Sequence, residues 1–315
     1  MVKKRILVLG GAHLDRRGRI TGATTIAASN PGSWEEDIGG GAFNVARNLA
    51  LLGHDVTMVS PRGGDAAADR VAAAAEAVGV VDRPFVFLDR ATPSYTAIIE
   101  RDGNLVIALA DMELYRFFTP RRLRVRALRE KIETADLIVC DANLPAETLA
   151  ELSVMAEQSA VPIAGIAISP AKVVRFAAAL PRLSWLFMNA AEATALVGAR
   201  AATAGHWPTL LRPLQLHAAV ITEGGRALTA YSAFEDYVVT PPPVTDISDV
   251  TGAGDALAAG TLDALLEGAS LELAVTRGIC ASRITLRSSQ AVAPDISPEA
   301  VAHEAALVGA SEKVF

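Results

Sequence analysis

Residues 249–256, with the sequence DVTGAGDA, combine glycines and carboxylates at the point where a helical pattern begins. Over residues 256–266, apolar side chains recur at spacings of three and four, which predicts a helix. Gly252, Ala253 and Gly254 then lie at the helix N-terminus, where unpaired backbone N–H groups and the positive end of the helix dipole favour an anion. The stretch therefore predicts a site for an anionic group such as a phosphate.

Asp255 is the unexpected member of this stretch, because a carboxylate beside an anion site repels the ligand. One interpretation makes Asp255 a general base, which takes a proton from a hydroxyl while the glycine-rich amides hold charge on a phosphoryl group. The other makes it a residue of the first helical turn that complements the helix dipole. The eight residues alone favour neither interpretation.

A second glycine-rich stretch begins at Gly39 and runs into a helical pattern that ends at Gly53. The three glycines at 39–41 allow the backbone to approach a ligand closely. Asn44 and Asn48 follow four residues apart and share a helix face. Their amides donate and accept hydrogen bonds, which suits recognition of sugar hydroxyls, although helix capping by solvated asparagines explains the spacing equally well.

Elsewhere short apolar runs alternate with helical patterns. The strand-like runs cover residues 6–9, 54–60, 137–140, 162–168, 185–188, 217–221 and 237–247, and the helical patterns cover 65–78, 128–134, 145–158 and 171–180. This alternation predicts a parallel sheet with helices on both faces, whose ligands gather at the carboxyl ends of the strands. The polar residues at those ends are Asp141, Asn143, Asn189, Glu192 and Thr222.

Two of these strand ends have functional interpretations. Either Glu192 caps a helix that starts at Asn189, or it holds Mg²⁺ through water molecules, since Mg²⁺ keeps waters and takes few carboxylates. Thr222 is followed by Gly224, and its hydroxyl together with the glycine amides is suited to face phosphates.

Two segments depart from the alternation of strands and helices, residues 14–37 and 92–112. The first is rich in Thr, Ser, Gly and Pro. The second contains extended runs at 95–101 and 105–110, joined by Asp-Gly-Asn at 102–104, which is the turn chemistry of a β-hairpin. We expect the two segments to pair into a small β-sheet lid.

Composition excludes several classes of protein. The 315 residues are 51% apolar with a formal net charge of −6, and no Lys/Arg block is interleaved with aromatics, which argues against contact with a nucleic acid polymer. The apolar run at 6–9 is too short for a signal peptide or a membrane span. Cys140 and Cys280 are too few for a disulfide framework or a metal cage. We expect a cytoplasmic protein with buried, reduced thiols and no membrane contact.

The two glycine-rich stretches together resemble the signatures of the ribokinase-like, or pfkB-type, carbohydrate kinases, and the resemblance runs over nearly the whole chain. It implies one ribokinase-like three-layer α/β/α domain over residues 1–315, with a mainly parallel central sheet and a small β-sheet lid. It also implies that Asp255 is the catalytic base and that the amides of Gly252, Ala253 and Gly254 form the anion hole.

The resemblance assigns further residues to the two substrates. Sugar hydroxyls would be held by Asp15, Gly40, Gly41, Asn44 and Asn143. ATP would lie against Asn189, Glu192, Thr222, Gly224 and Thr251, with Mg²⁺ bound to Glu192 through water. Asp249 occupies a position that is linked in several relatives to a monovalent cation such as K⁺. The lid of the family often mediates dimerisation, so a homodimer is expected.

Within this family, short segments in and near the lid are similar to pseudouridine kinases, for example SNPG at 29–32 and YTA at 95–97. By this similarity, a uracil ring would be recognised by Ser29, Asn30, Thr96 and Asp111, because its carbonyl and N–H groups need complementary partners. His13 stands where many relatives have Asn, which leaves the fine sugar preference open.

The resemblance thus implies an ATP- and Mg²⁺-dependent kinase that phosphorylates a primary hydroxyl of a ribose-containing molecule, the 5′-hydroxyl of pseudouridine being the leading candidate. The alternatives are a ribokinase or another sugar or nucleoside kinase of the same family, and a non-catalytic ligand-binding protein on the kinase fold. A nicotinamide-dependent enzyme is disfavoured, because Gly10 and Gly11 do not open a G-x-G-x-x-G pattern.

Overall fold

The computed structural model of the chain describes residues 3–311. Its strands are, in chain order, β1 Arg5–Leu9, β2 His13–Ile20, β3 Gly32–Gly39, β4 Asp55–Val59, β5 Pro61–Gly63, β6 Val81–Asp82, β7 Phe85–Phe87, β8 Ser94–Ile99, β9 Leu105–Asp111, β10 Leu137–Asp141, β11 Ile163–Ile166, β12 Trp185–Asn189, β13 Ala219–Thr222, β14 Leu228–Tyr231 and β15 Asp236–Val239. Its helices are α1 Gly41–Leu51, α2 Ala66–Glu76, α3 Pro120–Leu123, α4 Arg126–Thr134, α5 Ala146–Gln158, α6 Pro170–Val173, α7 Ala190–Val197, α8 Trp207–Leu211, α9 Ala253–Leu266, α10 Leu271–Leu286 and α11 Pro298–Ser311. Short 3₁₀ turns cover Glu113–Phe117, Val174–Phe176, Leu180–Arg182, Ala204–His206 and Arg212–Leu214.

Nine strands form the central sheet in the order β15-β14-β13-β12-β11-β10-β1-β4-β6. Neighbouring strands from β6 to β13 are parallel, and β14 and β15 add an antiparallel edge. In β1, Ile6 and Val8 pack into one core while Leu7 and Leu9 pack into the other. A strand that is apolar on both faces needs helices on both sides. The predicted three-layer α/β/α fold with a mainly parallel sheet is therefore confirmed.

The two helical layers have different roles in positioning the site. The layer with α3, α4, α5 and α8 covers one face of the sheet. The opposite layer contains α1, α2, α9, α10 and α11. In this second layer α1 packs against α9, and both helices begin with a glycine-rich segment. The packing of these two helices brings the two glycine-rich stretches of the sequence together.

A separate four-stranded sheet, in the order β3-β2-β8-β9, forms the lid. Strands β2 and β8 are parallel, and the outer pairs are antiparallel. The predicted hairpin is present as β8 and β9. The pairing of β2 with β8 joins the two segments that the sequence marked as departures from the α/β alternation, so the predicted small lid sheet is confirmed.

Two sequence predictions about local structure are wrong. The helix predicted over 171–180 is the short α6 followed by 3₁₀ turns, in which the buried residues Val173, Phe176 and Ala179 recur with the three-residue period of a 3₁₀-helix. The strand predicted over 237–247 ends at Val239, since the three prolines at 241–243 have no N–H group to extend the ladder.

Within residues 3–311, none of the helices has both the length and the apolar composition that crossing a bilayer requires. Cys140 and Cys280 are buried, as the sequence predicts, and are not joined by a disulfide.

Candidate active site

A cavity of about 820 Å³ lies between the carboxyl ends of the central strands and the lid sheet. Its volume falls within the range of small-molecule sites, roughly 300–1,000 Å³. The lid contributes Tyr95 and Ala110 to the wall, and the strand ends contribute Asn189 and Thr222. The cavity therefore lies at the sheet edge where ligands of parallel α/β proteins gather.

The first glycine-rich segment forms the turn between β3 and α1. Gly40, which precedes α1, has a φ of 112°, and a Cβ atom at this position would overlap the carbonyl of Gly11. Glycine alone adopts this conformation readily at so close a contact. The turn places Gly40 and Gly41 in the cavity wall.

Asp141, at the end of β10, holds this turn in place. Its fully buried carboxylate accepts hydrogen bonds from the backbone N–H groups of Gly11 at 3.0 Å and Ala42 at 3.1 Å. It also accepts from the backbone N–H and the side-chain Nδ2 of Asn143, both at 2.9 Å. One carboxylate thus joins the turn after β1, the start of α1 and the turn after β10.

The side-chain amide of Asn143 lines the cavity and already has protein partners on both of its ends. Nδ2 donates to Asp141, and Oδ1 accepts a 2.6 Å hydrogen bond from Nζ of Lys172. Burial lowers the pKa of Lys172, and the negative charge of Asp141 partly offsets this shift. Lys172 also lines the cavity, although no sequence motif pointed to it.

Asp15, in β2, faces the cavity beside His13. Nε2 of His13 lies 3.4 Å from a carboxylate oxygen of Asp15, and Nδ1 lies 2.9 Å from the hydroxyl of the buried Tyr115. The tyrosine orients the imidazole, which in turn restrains the carboxylate. His13 therefore positions Asp15, the residue that the family resemblance assigns to sugar hydroxyls.

The second glycine-rich segment forms the N-terminus of α9, which begins three residues earlier than the periodicity predicts. Gly252 precedes the helix with a φ of 78°, and a Cβ atom at this position would overlap the carbonyl of Ala291. Ala253 and Gly254 form the first turn and line the cavity. The N–H of Ala253 donates to the carbonyl of Val250 at 3.4 Å. Because N–H groups of a first helical turn lack partners within the helix, the turn is suited to an anion that faces the cavity.

Asp255 lies in the same helical turn and faces the cavity. Its Oδ2 accepts a 2.8 Å hydrogen bond from Nδ2 of Asn44, which bonds in turn to Arg47. Burial raises the pKa of Asp255 to about 7, helped by the negative charges of Asp141 and Glu192 and opposed by Asn44 and Arg47. A fixed carboxyl group with a near-neutral pKa beside an anion site has the properties of a general base.

A lid side chain holds the turn that precedes α9. Arg17, in β2, donates to one carboxylate oxygen of Asp249 at 3.0 Å and to the hydroxyl of Thr251 at 3.1 Å. The other Asp249 oxygen accepts from the backbone N–H and the hydroxyl of Thr251. Although burial raises the pKa of Asp249, the hydrogen bonds from Thr251 and Arg17 lower it overall. Protein groups therefore engage both carboxylate oxygens of Asp249.

Asn189 and Glu192 form a reciprocal cap at the start of α7. Oδ1 of Asn189 accepts from the Glu192 backbone N–H at 2.9 Å, and Oε2 of Glu192 accepts from the Asn189 backbone N–H at 2.7 Å. The capping interpretation of this pair is confirmed. Both residues also line the cavity, together with Thr222 and Gly224, so the four predicted nucleotide contacts at strand ends lie in one wall.

Glu192 is the residue predicted to hold Mg²⁺ through water, and burial raises the pKa of its carboxyl group. Within the described residues, no group of three or more His, Cys, Asp or Glu side chains is arranged to hold a metal ion. Mg²⁺ does not need such a cage, because it keeps several water ligands and binds through one or two carboxylates together with phosphates. A single carboxylate in the wall of a cavity with room for a triphosphate fits this mode of binding.

Four residues predicted to recognise a nucleobase do not line the cavity, namely Ser29, Asn30, Thr96 and Asp111. The Asn30 amide bonds to the backbone of Thr25 and Ala28 and stabilises the loop between β2 and β3. Thr96 is the strand neighbour of Tyr95, and Asp111 is the neighbour of Ala110. Because successive strand residues face opposite sides, the cavity wall is formed by Tyr95 and Ala110.

Sequence reasoning missed three residues of this region. Tyr95 was assigned to the right segment, but the strand register that turns it inward was not readable from the sequence. Lys172 lies in a segment whose helical pattern was misread, and Arg17 contacts a loop that lies more than two hundred residues away in the chain. Close approaches of this kind leave no signal in local periodicity.

Comparisons with known proteins agree with this geometry. Residues 3–298 match the model of the pfkB family of carbohydrate kinases. The chain is similar to pseudouridine kinase from Escherichia coli K12, with 27% identity over 302 residues that cover 94% of each chain.

Solved structures extend the comparison. A carbohydrate kinase from Agrobacterium tumefaciens superposes with a TM-score of 0.88 at 52% identity, covering 97% of this chain and 98% of that one. Ribokinase from Arabidopsis thaliana, in complex with ribose and ATP, superposes with a TM-score of 0.83 at 18% identity, covering 96% and 99%. The second likeness supports the fold alone. Taken with the match over residues 3–298, these findings show that the chain belongs to the pfkB family of carbohydrate kinases and is a phosphotransferase that acts on a sugar hydroxyl.

Proposed function

We propose that this chain is an ATP-dependent kinase for the primary hydroxyl of a ribose-containing nucleoside, with the 5′-hydroxyl of pseudouridine as its leading acceptor. The observation that carries the proposal is the position of Asp255, which lies in the cavity within the first turn of α9 and is oriented by Asn44. The similarity to the E. coli pseudouridine kinase supports the choice of acceptor.

In the proposed reaction, Asp255 accepts the proton of the acceptor hydroxyl as that oxygen forms a bond to the γ-phosphorus of ATP. The bond from the γ-phosphorus to the β-phosphate oxygen breaks, and ADP leaves. The N–H groups of Gly252, Ala253 and Gly254 stabilise the negative charge on the transferred group. Asp15, Gly40 and Gly41 hold the sugar, and Asn143 lines the same cavity with its amide already bonded to Asp141 and Lys172.

The proposed cofactor is Mg²⁺, which would neutralise charge on the triphosphate and be held by Glu192 through water. Asn189, Thr222 and Gly224 would face the nucleotide. Asp249 remains the predicted position for K⁺, but Arg17 and Thr251 already engage its carboxylate, so K⁺ is left out of the proposal.

The wall beyond the ribose supports a nucleoside over a free sugar. Tyr95 lines the cavity from the lid, one residue along β8 from Thr96, and Met112 lies nearby in the same wall. An aromatic ring and a thioether provide a surface against which a planar base packs well. Free ribose would leave this surface uncovered.

An acceptor panel tests this assignment. With ATP and Mg²⁺, we expect phosphorylation of pseudouridine to have a higher kcat/KM than phosphorylation of uridine, ribose or other sugars. Tyr95→Ala should raise KM for pseudouridine by about tenfold, because it removes roughly 1–1.5 kcal/mol of ring contact, and should change any activity on ribose little. Product formation is measured by coupled ADP release and by mass spectrometry. A preference for ribose in the wild-type enzyme would show that the acceptor is wrong, and no transfer to any acceptor would favour the non-catalytic alternative.

We also propose that two copies of the chain associate through the outer face of the lid. Trp34, Ile107 and Leu109 are 61%, 65% and 70% exposed, and they belong to the side of the sheet opposite Tyr95. Trp34 pairs with Gly18 in β2, where the absence of a side chain leaves room for the indole ring. Trp34 belongs to β3 and the other two residues belong to β9, which are the two edge strands of the lid sheet. Large exposed apolar side chains on one face are typical of a protein interface.

Light scattering coupled to gel filtration tests this association. We expect the wild-type chain to elute as a dimer and a variant with Ile107→Lys and Leu109→Lys to elute as a monomer, because two charges would be buried at the interface. Phe234→Lys is the matched control, since Phe234 is 96% exposed in the turn between β14 and β15. A monomeric wild-type protein at micromolar concentration would refute the lid interface.

A further inference from the structure

The cavity is lined by more carboxyl groups than strongly basic side chains. The carboxyl groups belong to Asp15, Glu192 and Asp255, and the strong bases are Lys172 and Arg283. A nucleotide triphosphate adds more negative charge to the same space. A positive group of the wall that is free to face a phosphate would therefore add to the stabilisation given by Mg²⁺ and by the amides of α9.

Arg283 lines the cavity, but its guanidinium is not available to face a phosphate. Its Nε donates to Oε1 of Glu304 at 2.6 Å, and its guanidinium also donates to the carbonyls of Pro242 and Pro243. The carboxylate of Glu304 neutralises its charge locally.

Lys172 differs from Arg283 in its surroundings. Within the described part of the chain its ammonium makes no ion pair with a carboxylate, and its hydrogen-bond partner is the neutral amide of Asn143. Asp141 lies on the far side of that amide. Burial lowers the pKa of Lys172, so its charged form gains from an anionic ligand.

The turn that presents Lys172 has an unusual backbone. Ile168 has a φ of 71°, which is an outlier for a β-branched residue, and the N–H of Ser169 donates to the carbonyl of Ala167 across it. Backbone strain of this kind persists where the surrounding structure enforces it, and it clusters at ligand sites. Arg175 fixes the turn from the other end by donating to two carbonyls after β10.

The same turn lies beside the proposed point of transfer. A Cβ atom on Gly41 would overlap Cδ1 of Ile168 and would lie 3.5 Å from Oδ1 of Asp255. Helix α6, which carries Lys172, packs against α7, whose first turn carries Glu192. The ammonium itself lies 2.6 Å from Oδ1 of Asn143 and lines the same cavity as Asp255 and Glu192.

We propose that Lys172 contacts the γ-phosphoryl group of the bound nucleotide and compensates its charge during transfer. The ammonium is a compact charge that forms strong hydrogen bonds with phosphate oxygens. Asn143 holds it in place before the nucleotide binds, and Lys172 takes no part in proton transfer. This assignment rests on the proposed kinase function. It adds a positively charged side chain that contacts the phosphoryl group together with the amides of α9.

Binding measurements on the full chain test the assignment without turnover. The probes are ADP and a non-hydrolysable ATP analogue, each with Mg²⁺, in isothermal titration calorimetry. We expect Lys172→Gln to weaken the affinity for the analogue about tenfold or more and to change the affinity for ADP less than twofold, because ADP lacks the γ-phosphate. Lys172→Arg keeps the charge and should retain most of the preference for the analogue.

Lys172→Gln removes the positive charge but keeps a side-chain N–H group that can donate to Asn143. Lys131→Met is the matched control, because Lys131 bonds to Thr57 at the amino end of the central sheet and should alter neither affinity. Equal weakening of ADP and the analogue by Lys172→Gln, or no weakening of either, would overturn the assignment. The different effect of Lys172→Gln on the affinities for ADP and for the analogue does not depend on the acceptor. If this difference is observed but pseudouridine is not phosphorylated, the proposed acceptor is refuted and the role of Lys172 stands.

Discussion

Replacement of Asp255 by Asn should lower kcat by about 10²–10⁴-fold, the range expected for the loss of a general base. Asn has nearly the same shape, and its side-chain oxygen can still accept the hydrogen bond from Asn44. Binding of ATP should therefore change little, and the melting temperature should not fall, because the variant removes a buried charge. Steady-state kinetics, calorimetry and thermal unfolding measure the three effects. A variant that retains a kcat near the wild-type value would show that Asp255 only complements the helix dipole.

The pH dependence of the wild-type enzyme provides an independent check of this role. A general base must be deprotonated to act, and burial raises the pKa of Asp255 to about 7. The protonated, inactive form therefore persists up to neutral pH. We expect log kcat/KM to rise with unit slope below about pH 7 and to level off above it, and the Asp255→Asn variant should lack this rise.

Replacement of Asp141 by Ala should destabilise the protein by roughly 3–5 kcal/mol. The change leaves four donors around the cavity without their acceptor, two of them being the backbone N–H groups of Gly11 and Ala42. The acceptor side of the site would lose its order at the same time, so kcat/KM should fall even in protein that remains folded. Urea unfolding and steady-state kinetics measure the two losses.

Asp136→Ala is the matched control for this prediction. Asp136 precedes the same strand at its other end and is partly exposed. It accepts a hydrogen bond from the backbone N–H of Arg5 and pairs with the Arg5 guanidinium at 3.5 Å. Its loss should cost about 1 kcal/mol or less and leave the kinetics unchanged. Comparable unfolding free energies for the two alanine variants would contradict the role of Asp141 as the buried anchor of the site.

The parts of the site that sequence reasoning predicted are those in which local chemistry determines the structure. Gly40 and Gly252 both adopt positive φ angles before helices, which a run of glycines followed by apolar periodicity indicates. Polar residues after buried strands, such as Asn189 and Thr222, lie at one edge because parallel strands end on the same side.

The parts that were missed depend on register and on approaches between distant segments. A shift of one residue along β8 exchanges Thr96 for Tyr95 in the cavity wall, and the turn chemistry of the hairpin does not determine which of them faces inward. Lys172 belongs to residues 171–180, for which the sequence predicts one helix, whereas the structure has the short α6 followed by 3₁₀ turns.

The contact between Arg17 and the loop at Asp249 has a consequence for how the two substrates affect each other. The acceptor is proposed to lie under the lid strand that carries Arg17, and the loop it contacts leads into the anion hole. A ligand that draws the lid inward would then also order the amides that receive the phosphoryl group. Coupling of this kind is reciprocal, so each substrate would increase the affinity for the other by the same factor. Hydrolysis of ATP by water, with no acceptor under the lid, would meet a less ordered anion hole.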